Sequence, residues 1–136
     1  MDSMVAYGPL VPEGYAPRLM DVLVQRRMDV FGAVEICGTR WSGKSWTSTA
    51  FAKSLVRVDD RREILEADPS LALVGEKPVA IDEWQDVPAI WNRVRHAVDD
   101  SGSRPGQFIL TGSSRCGSRS ATYGWAAVGG RSLRTW

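Results

Sequence analysis

The chain has 136 residues, 43% of them apolar and 24% charged, with a formal net charge of +1. That is the composition of one ordinary globular domain and excludes a disordered polypeptide. No apolar run approaches the ~20 residues of a membrane-spanning helix, and Met1 to Ala6 lacks the basic and apolar regions of a secretory leader. Two cysteines, Cys37 and Cys116, and a single histidine are too few for a disulfide scaffold or a four-ligand zinc site, so a reducing, cytoplasmic setting is expected.

The charge is unevenly spread. Residues 115–136 carry Arg115, Arg119, Arg131 and Arg134 and no acid, while the other 114 residues hold 13 basic and 16 acidic side chains. A mildly acidic body argues against a general nucleic-acid coat protein.

In chain order, residues 1–16 contain Gly8, Pro9, Pro12 and Gly14 and read as an irregular arm. Pro17 opens a short helix to Met28, with Leu19, Val22 and Leu23 on one face. Ala33 to Cys37 is β-branched, stops at Gly38 and predicts a strand. A helix is expected from Gly43 to Ser54, a second strand over Leu55 to Asp59, and a short helix over Arg61 to Ala67 that ends before Pro69. Pro78 to Asp82 is apolar up to its last residue, as in a strand buried on both faces. Val87 to Asp99 predicts a helix, with Ile90, Val94, Ala97 and Val98 on one stripe and His96 on its polar face. Gln107 to Thr111 is a fourth strand, ended by Gly112.

Strands alternating with helices imply an α/β fold with a parallel sheet. After Ser114 the periodicity stops. Residues 115–136, rich in Arg, Gly, Ser and Trp, are expected to be a poorly ordered basic tail, or else out-of-frame translation of an interrupted gene.

Three segments carry chemistry. Gly38-Thr39-Arg40-Trp41-Ser42-Gly43-Lys44-Ser45 fits G-x-x-x-x-G-K-[ST], between a predicted strand and a predicted helix. Its glycines let backbone N–H groups turn inward on phosphate oxygens, and the helix adds the positive end of its dipole. Lys44 reaches the β- and γ-phosphates, and the Ser45 hydroxyl is a hard ligand for Mg²⁺. Trp41 and Trp46 are positioned either to stack on a nucleotide or to pack.

The second segment is Val79-Ala80-Ile81-Asp82-Glu83. Its two acids stand at the carboxyl end of a strand, where parallel sheets bind ligands. Asp82 is a candidate Mg²⁺ ligand and Glu83 a candidate base that polarises the attacking water. The third is Thr111 at the end of the fourth strand. Its hydroxyl is expected beside those acids, within reach of the γ-phosphate or the water. The chain lacks the Asn-Lys-x-Asp motif of GTPases, and no Arg-rich lid of a small-molecule kinase follows the third strand. An ATP hydrolase is favoured.

Together these residues resemble a family of prokaryotic AAA-type P-loop ATPases in which an ATPase domain precedes a C-terminal domain of unknown function. The resemblance covers about residues 15–114. It rests on Tyr15-Ala16-Pro17-Arg18-Leu19, the phosphate loop, Leu55 to Asp60, Ile81-Asp82-Glu83-Trp84-Gln85 and Phe108-Ile109-Leu110-Thr111-Gly112-Ser113. It implies a three-layer P-loop NTPase sandwich with strand order 5-1-4-3-2. Gly38 to Trp46 would bind ATP, Lys44 and Ser45 would hold phosphate and Mg²⁺, Asp82 and Glu83 would be the Walker B pair, and Thr111 would fall in sensor 1.

Such ATPases usually take an arginine from a neighbouring subunit, for which Arg93, Arg95 and Arg104 are candidates in a homo-oligomer. Family members run a few hundred residues further, so the chain reads as a truncated member whose sheet holds strands 1–4 but is incomplete. No convincing fifth strand follows; a tail segment such as Gly124 to Val128 could substitute as a poor edge strand, but its two alanines and flanking glycines make it a weak one. The first strand would then be a bare edge. Three functional readings follow: an ATPase domain with weak or no turnover alone, a nucleotide-switched module that binds DNA or a protein partner, and a non-functional gene remnant.

Overall fold

The computed structural model describes residues 5–16, 19–37, 44–112 and 125–129, with the backbone alone at 19–20, 37, 44–45 and 125–129. Five strands form one sheet: β1 (Ala33–Cys37), β2 (Ser54–Arg57), β3 (Val79–Asp82), β4 (Phe108–Gly112) and β5 (Trp125–Gly129). Every pairing is parallel and the order is β2-β3-β4-β1-β5, the order that the family resemblance implies. Four α-helices accompany the sheet: α1 (Leu19–Met28), α2 (Lys44–Phe51), α3 (Arg62–Ala67) and α4 (Ala89–Asp100).

The strands alternate between two apolar layers, as the period of two requires. Ala33, Val79, Ile81, Phe108 and Leu110 face one way and pack with Leu65 of α3 and with Ile90, Val94 and Val98 of α4. Val34, Ile36 and Ile109 face the other way and pack with Val24 and Met28 of α1 and Phe51 of α2. The result is the three-layer sandwich expected from the sequence.

Helix α2 stops at Phe51, three residues short of expectation. The N–H groups of Lys53 and Ser54 donate to the carbonyl of Pro78 at 2.8 and 3.3 Å, which draws the chain into β2. Helix α4 starts at Ala89 rather than Val87 because Trp84–Asp86 forms a 3-10 turn whose Trp84 carbonyl accepts the Val87 N–H. His96 is exposed on α4, as its place on the polar face predicts.

One expectation is corrected. β1 is not a bare edge, because β5 pairs with its outer side from Ala33↔Trp125 to Cys37↔Gly129. The weak segment of the sequence is a strand because the need is set by its partner. The unpaired N–H and C=O groups of a central strand require main-chain partners, which alanine and glycine supply as well as valine does.

The irregular arm is packed rather than loose. Gly8 N–H donates to the Ala50 carbonyl of α2 at 2.8 Å, and Ala6 N–H to Gln25 Oε1 of α1 at 3.0 Å. A Cβ at Gly8 would lie 2.5 Å from the Ala52 carbonyl oxygen, so only glycine allows this approach. Asp21, almost fully buried on α1, accepts from the Tyr7 hydroxyl at 2.6 Å and from the Tyr15 hydroxyl at 2.8 Å. Tyr15 also reaches Thr47 Oγ1 of α2 at 3.3 Å. One carboxylate thereby ties the arm to α1, and Tyr15 carries the tie on to α2.

Burial, and then the hydrogen bond and charge of Asp21, raise the Tyr7 phenol above its ordinary value. In the unfolded chain the phenol ionises near pH ~10, while in the folded chain it stays protonated. The folded state then binds more protons, so stability falls as pH rises past ~10. Thermal melts from pH 8 to 11 should show this alkaline loss in the wild type and a smaller loss in Tyr7→Phe.

Candidate functional site

Strand register assembles the site. Asp82, the last residue of β3, lies level with Thr111 of β4, and Thr111 lies level with Ile36 of β1. One residue on, Cys37 lies level with Gly112, and the chain then leaves β1 for the phosphate-loop sequence. Residues 38–43, which include the expected nucleotide contacts Gly38, Thr39, Arg40, Trp41, Ser42 and Gly43, lie outside the described residues. The backbone of Lys44 and Ser45 forms the first two residues of α2. Trp46 follows, 51% exposed on the helix surface.

The acids at the strand end differ in setting. Thr111 is fully buried, and its hydroxyl donates to Asp82 Oδ1. Asp82 is only partly buried and so is accessible from the carboxyl edge of the sheet. Glu83 has left-handed backbone angles, φ 58° and ψ 46°, one of two such non-glycine residues among those described. A glutamate there carries backbone strain, on the order of 1 kcal/mol or more. The Gln85 amide donates to Glu83 Oε2 at 2.5 Å.

The turn that carries Glu83 and Gln85 is fastened to the sheet. Trp84 is buried, donates through Nε1 to Glu35 Oε2 of β1 at 3.3 Å, and lies against Trp91 of α4 with ring centroids 5.2 Å apart. Gly112 at the end of β4 passes directly beneath the turn. A Cβ there would lie 2.3 Å from Gln85 Oε1 and 3.3 Å from Trp84 Nε1.

Sequence reasoning thus led to Asp82, Glu83 and Thr111, and the first and last of these are in direct contact. It assigned no role to Gln85, Gly112, Glu35, Tyr15 or Asp21. The run Ile81 to Gln85 was distinctive, but nothing in it said that Gln85 folds back onto Glu83. A cleft of about 430 Å³, lined by residues that include Tyr7, Gln25, Lys53 and Gly106, lies at the opposite, amino end of the sheet. Of the candidate arginines, Arg93 and Arg104 are exposed and Arg95 is half-buried, with Nη2 3.2 Å from His96 Nε2.

A central parallel strand that runs into a G-x-x-x-x-G-K-S loop and then a helix, in one sheet with a strand that closes in Asp-Glu and is separated from it by β4, defines a P-loop nucleotide-binding domain. The model of the AAA domain family matches residues 31–123, and the chain belongs to that family. No curated protein and no solved structure matches it. No helix among the described residues is long and apolar enough to cross a membrane.

Proposed function

We propose that the chain is a Mg²⁺-dependent ATP-binding domain of the AAA type, with a hydrolytic centre that is weak in the isolated polypeptide. The observation that carries this reading is the Thr111–Asp82 contact. It fixes a carboxylate at the carboxyl edge of the sheet, with β4 between its strand and the one that feeds the phosphate loop.

The loop amides from Gly38 to Gly43 and the Lys44 ammonium take the phosphates, with Thr39, Arg40, Trp41, Ser42 and Trp46 lining the site. The Ser45 hydroxyl and the Asp82 carboxylate are hard oxygen donors of the kind Mg²⁺ prefers, and they would hold the ion beside the bound phosphates. When bound, the ion neutralises charge on the phosphates. Thr111 orients Asp82, and Glu83 accepts a proton from the water that attacks the γ-phosphate. Weak turnover follows from the lack of an arginine from a second subunit, a role open to Arg93, Arg95 or Arg104 in a homo-oligomer.

Lys44→Ala tests the binding half of this reading. Charge-assisted bonds contribute about 1.5–3 kcal/mol, so Mg-ATP affinity should fall ~10- to 100-fold by titration calorimetry. Equal affinity for the two chains would refute the assignment of the phosphate loop.

A further inference from the structure

We propose that Gln85 is a positioning residue for Glu83, held in register by the absence of a side chain at Gly112; the proposal rests on the reading of Glu83 as the group that accepts the water's proton. A glutamate side chain has three rotatable bonds, and at the end of a strand it would sample many directions. Here one of its oxygens, Oε2, accepts from the Gln85 amide at 2.5 Å. That contact fixes the plane of the carboxylate and leaves the bond to water to Oε1.

Gln85 can do this only if its own amide is immobile, and two features make it so. The 3-10 turn Trp84–Asp86 is fastened to the sheet by the buried Trp84–Glu35 bond. The Gln85 amide also rests against the end of β4, where a Cβ at Gly112 would intrude to 2.3 Å from Oε1 and 3.2 Å from Cδ. Gly112 has no left-handed angle to explain its being glycine, so the requirement is steric. Thr111 and Gly112 are consecutive residues of one strand. The first orients Asp82 and the second leaves room for the group that orients Glu83. β4 therefore sets both acids.

Kinetics and spectroscopy on the full chain test this. Gln85→Met keeps the length of the side chain and loses the donor. It should lower kcat for ATP hydrolysis roughly 10- to 100-fold, with KM and Mg-ATP affinity unchanged, because misplacement of a reacting group affects the chemical step and not binding. Gly112→Ala should lower kcat similarly, because the end of the Gln85 side chain must move aside. Gln85→Ala/Gly112→Ala should have no lower kcat than Gln85→Ala, since the amide that the added Cβ displaces has gone.

A wild-type kcat in Gln85→Met, with Glu83→Gln inactive, overturns the proposal and leaves the role of Glu83 standing. Turnover that survives Glu83→Gln overturns the role of Glu83 itself. The side-chain amide resonance of Gln85 needs no turnover to be read. It should shift on Glu83→Ala, and an unmoved resonance overturns the proposal.

Discussion

Glu83→Gln should abolish ATP turnover while leaving Mg-ATP affinity within about twofold of wild type. The substitution preserves size and a polar tip but removes the carboxylate proposed to take a proton from water. General-base catalysis contributes roughly 10²- to 10⁴-fold, so any hydrolysis detectable in the wild type should fall by at least the lower figure. Binding is spared because the phosphates and Mg²⁺ are assigned to the loop, Lys44, Ser45 and Asp82, not to Glu83. Single-turnover hydrolysis beside calorimetry separates the two effects. A variant that lost affinity and turnover together would show that Glu83 binds rather than activates, and the roles of Asp82 and Glu83 would need to be exchanged.

Removing residues 115–136 should have the largest effect on stability. It deletes β5, whose five residues pair with β1 from Ala33 to Cys37. β1 would become an outer strand with apolar faces and a row of unpaired backbone groups, the arrangement that recruits other chains. The loss of that ladder should remove several kcal/mol from a total of about 5–15 kcal/mol. The shortened chain should melt ~10 °C lower or more, or aggregate in light scattering, whereas the full chain should melt cooperatively. Equal melting of the two would mean that β5 adds nothing to the sheet.

The two ends of the sheet differ in how far the sequence foretells them. β1 to β4 are legible because each is a short β-branched or apolar run with clear punctuation, such as Gly38 after Cys37 or Pro69 after the short helix that follows β2. β5 is only weakly legible, as the poor candidate Gly124 to Val128, since Trp125-Ala126-Ala127-Val128-Gly129 has neither alternation nor strong strand propensity. Its pairing is dictated by what β1 lacks, which no local pattern encodes.

The same division runs through the site. The proximity of Asp82 and Thr111 follows from two parallel neighbours ending at one edge, so the motifs foretell it. The left-handed backbone of Glu83, the return of Gln85 onto its carboxylate and the clearance above Gly112 depend on how the turn meets β4 and β1. The attachment of the arm is hidden for a related reason. Gly8, Pro9, Pro12 and Gly14 rightly predict the lack of regular structure, but irregular is not the same as unattached.

The knot of Tyr7, Tyr15 and Asp21 bears on where this domain can be cut. The family match begins at residue 31 and ends at 123. A piece trimmed to those limits would discard the arm and α1 from one side and β5 from the other. Its phosphate-loop helix would keep Lys44 and Ser45 but lose the hydroxyl against Thr47, one helical turn further on. Its central strand would lose its outer neighbour. Such a piece would retain every residue named in the nucleotide site and lack the supports that hold two of its elements in position, so inactivity in it would say nothing about the site.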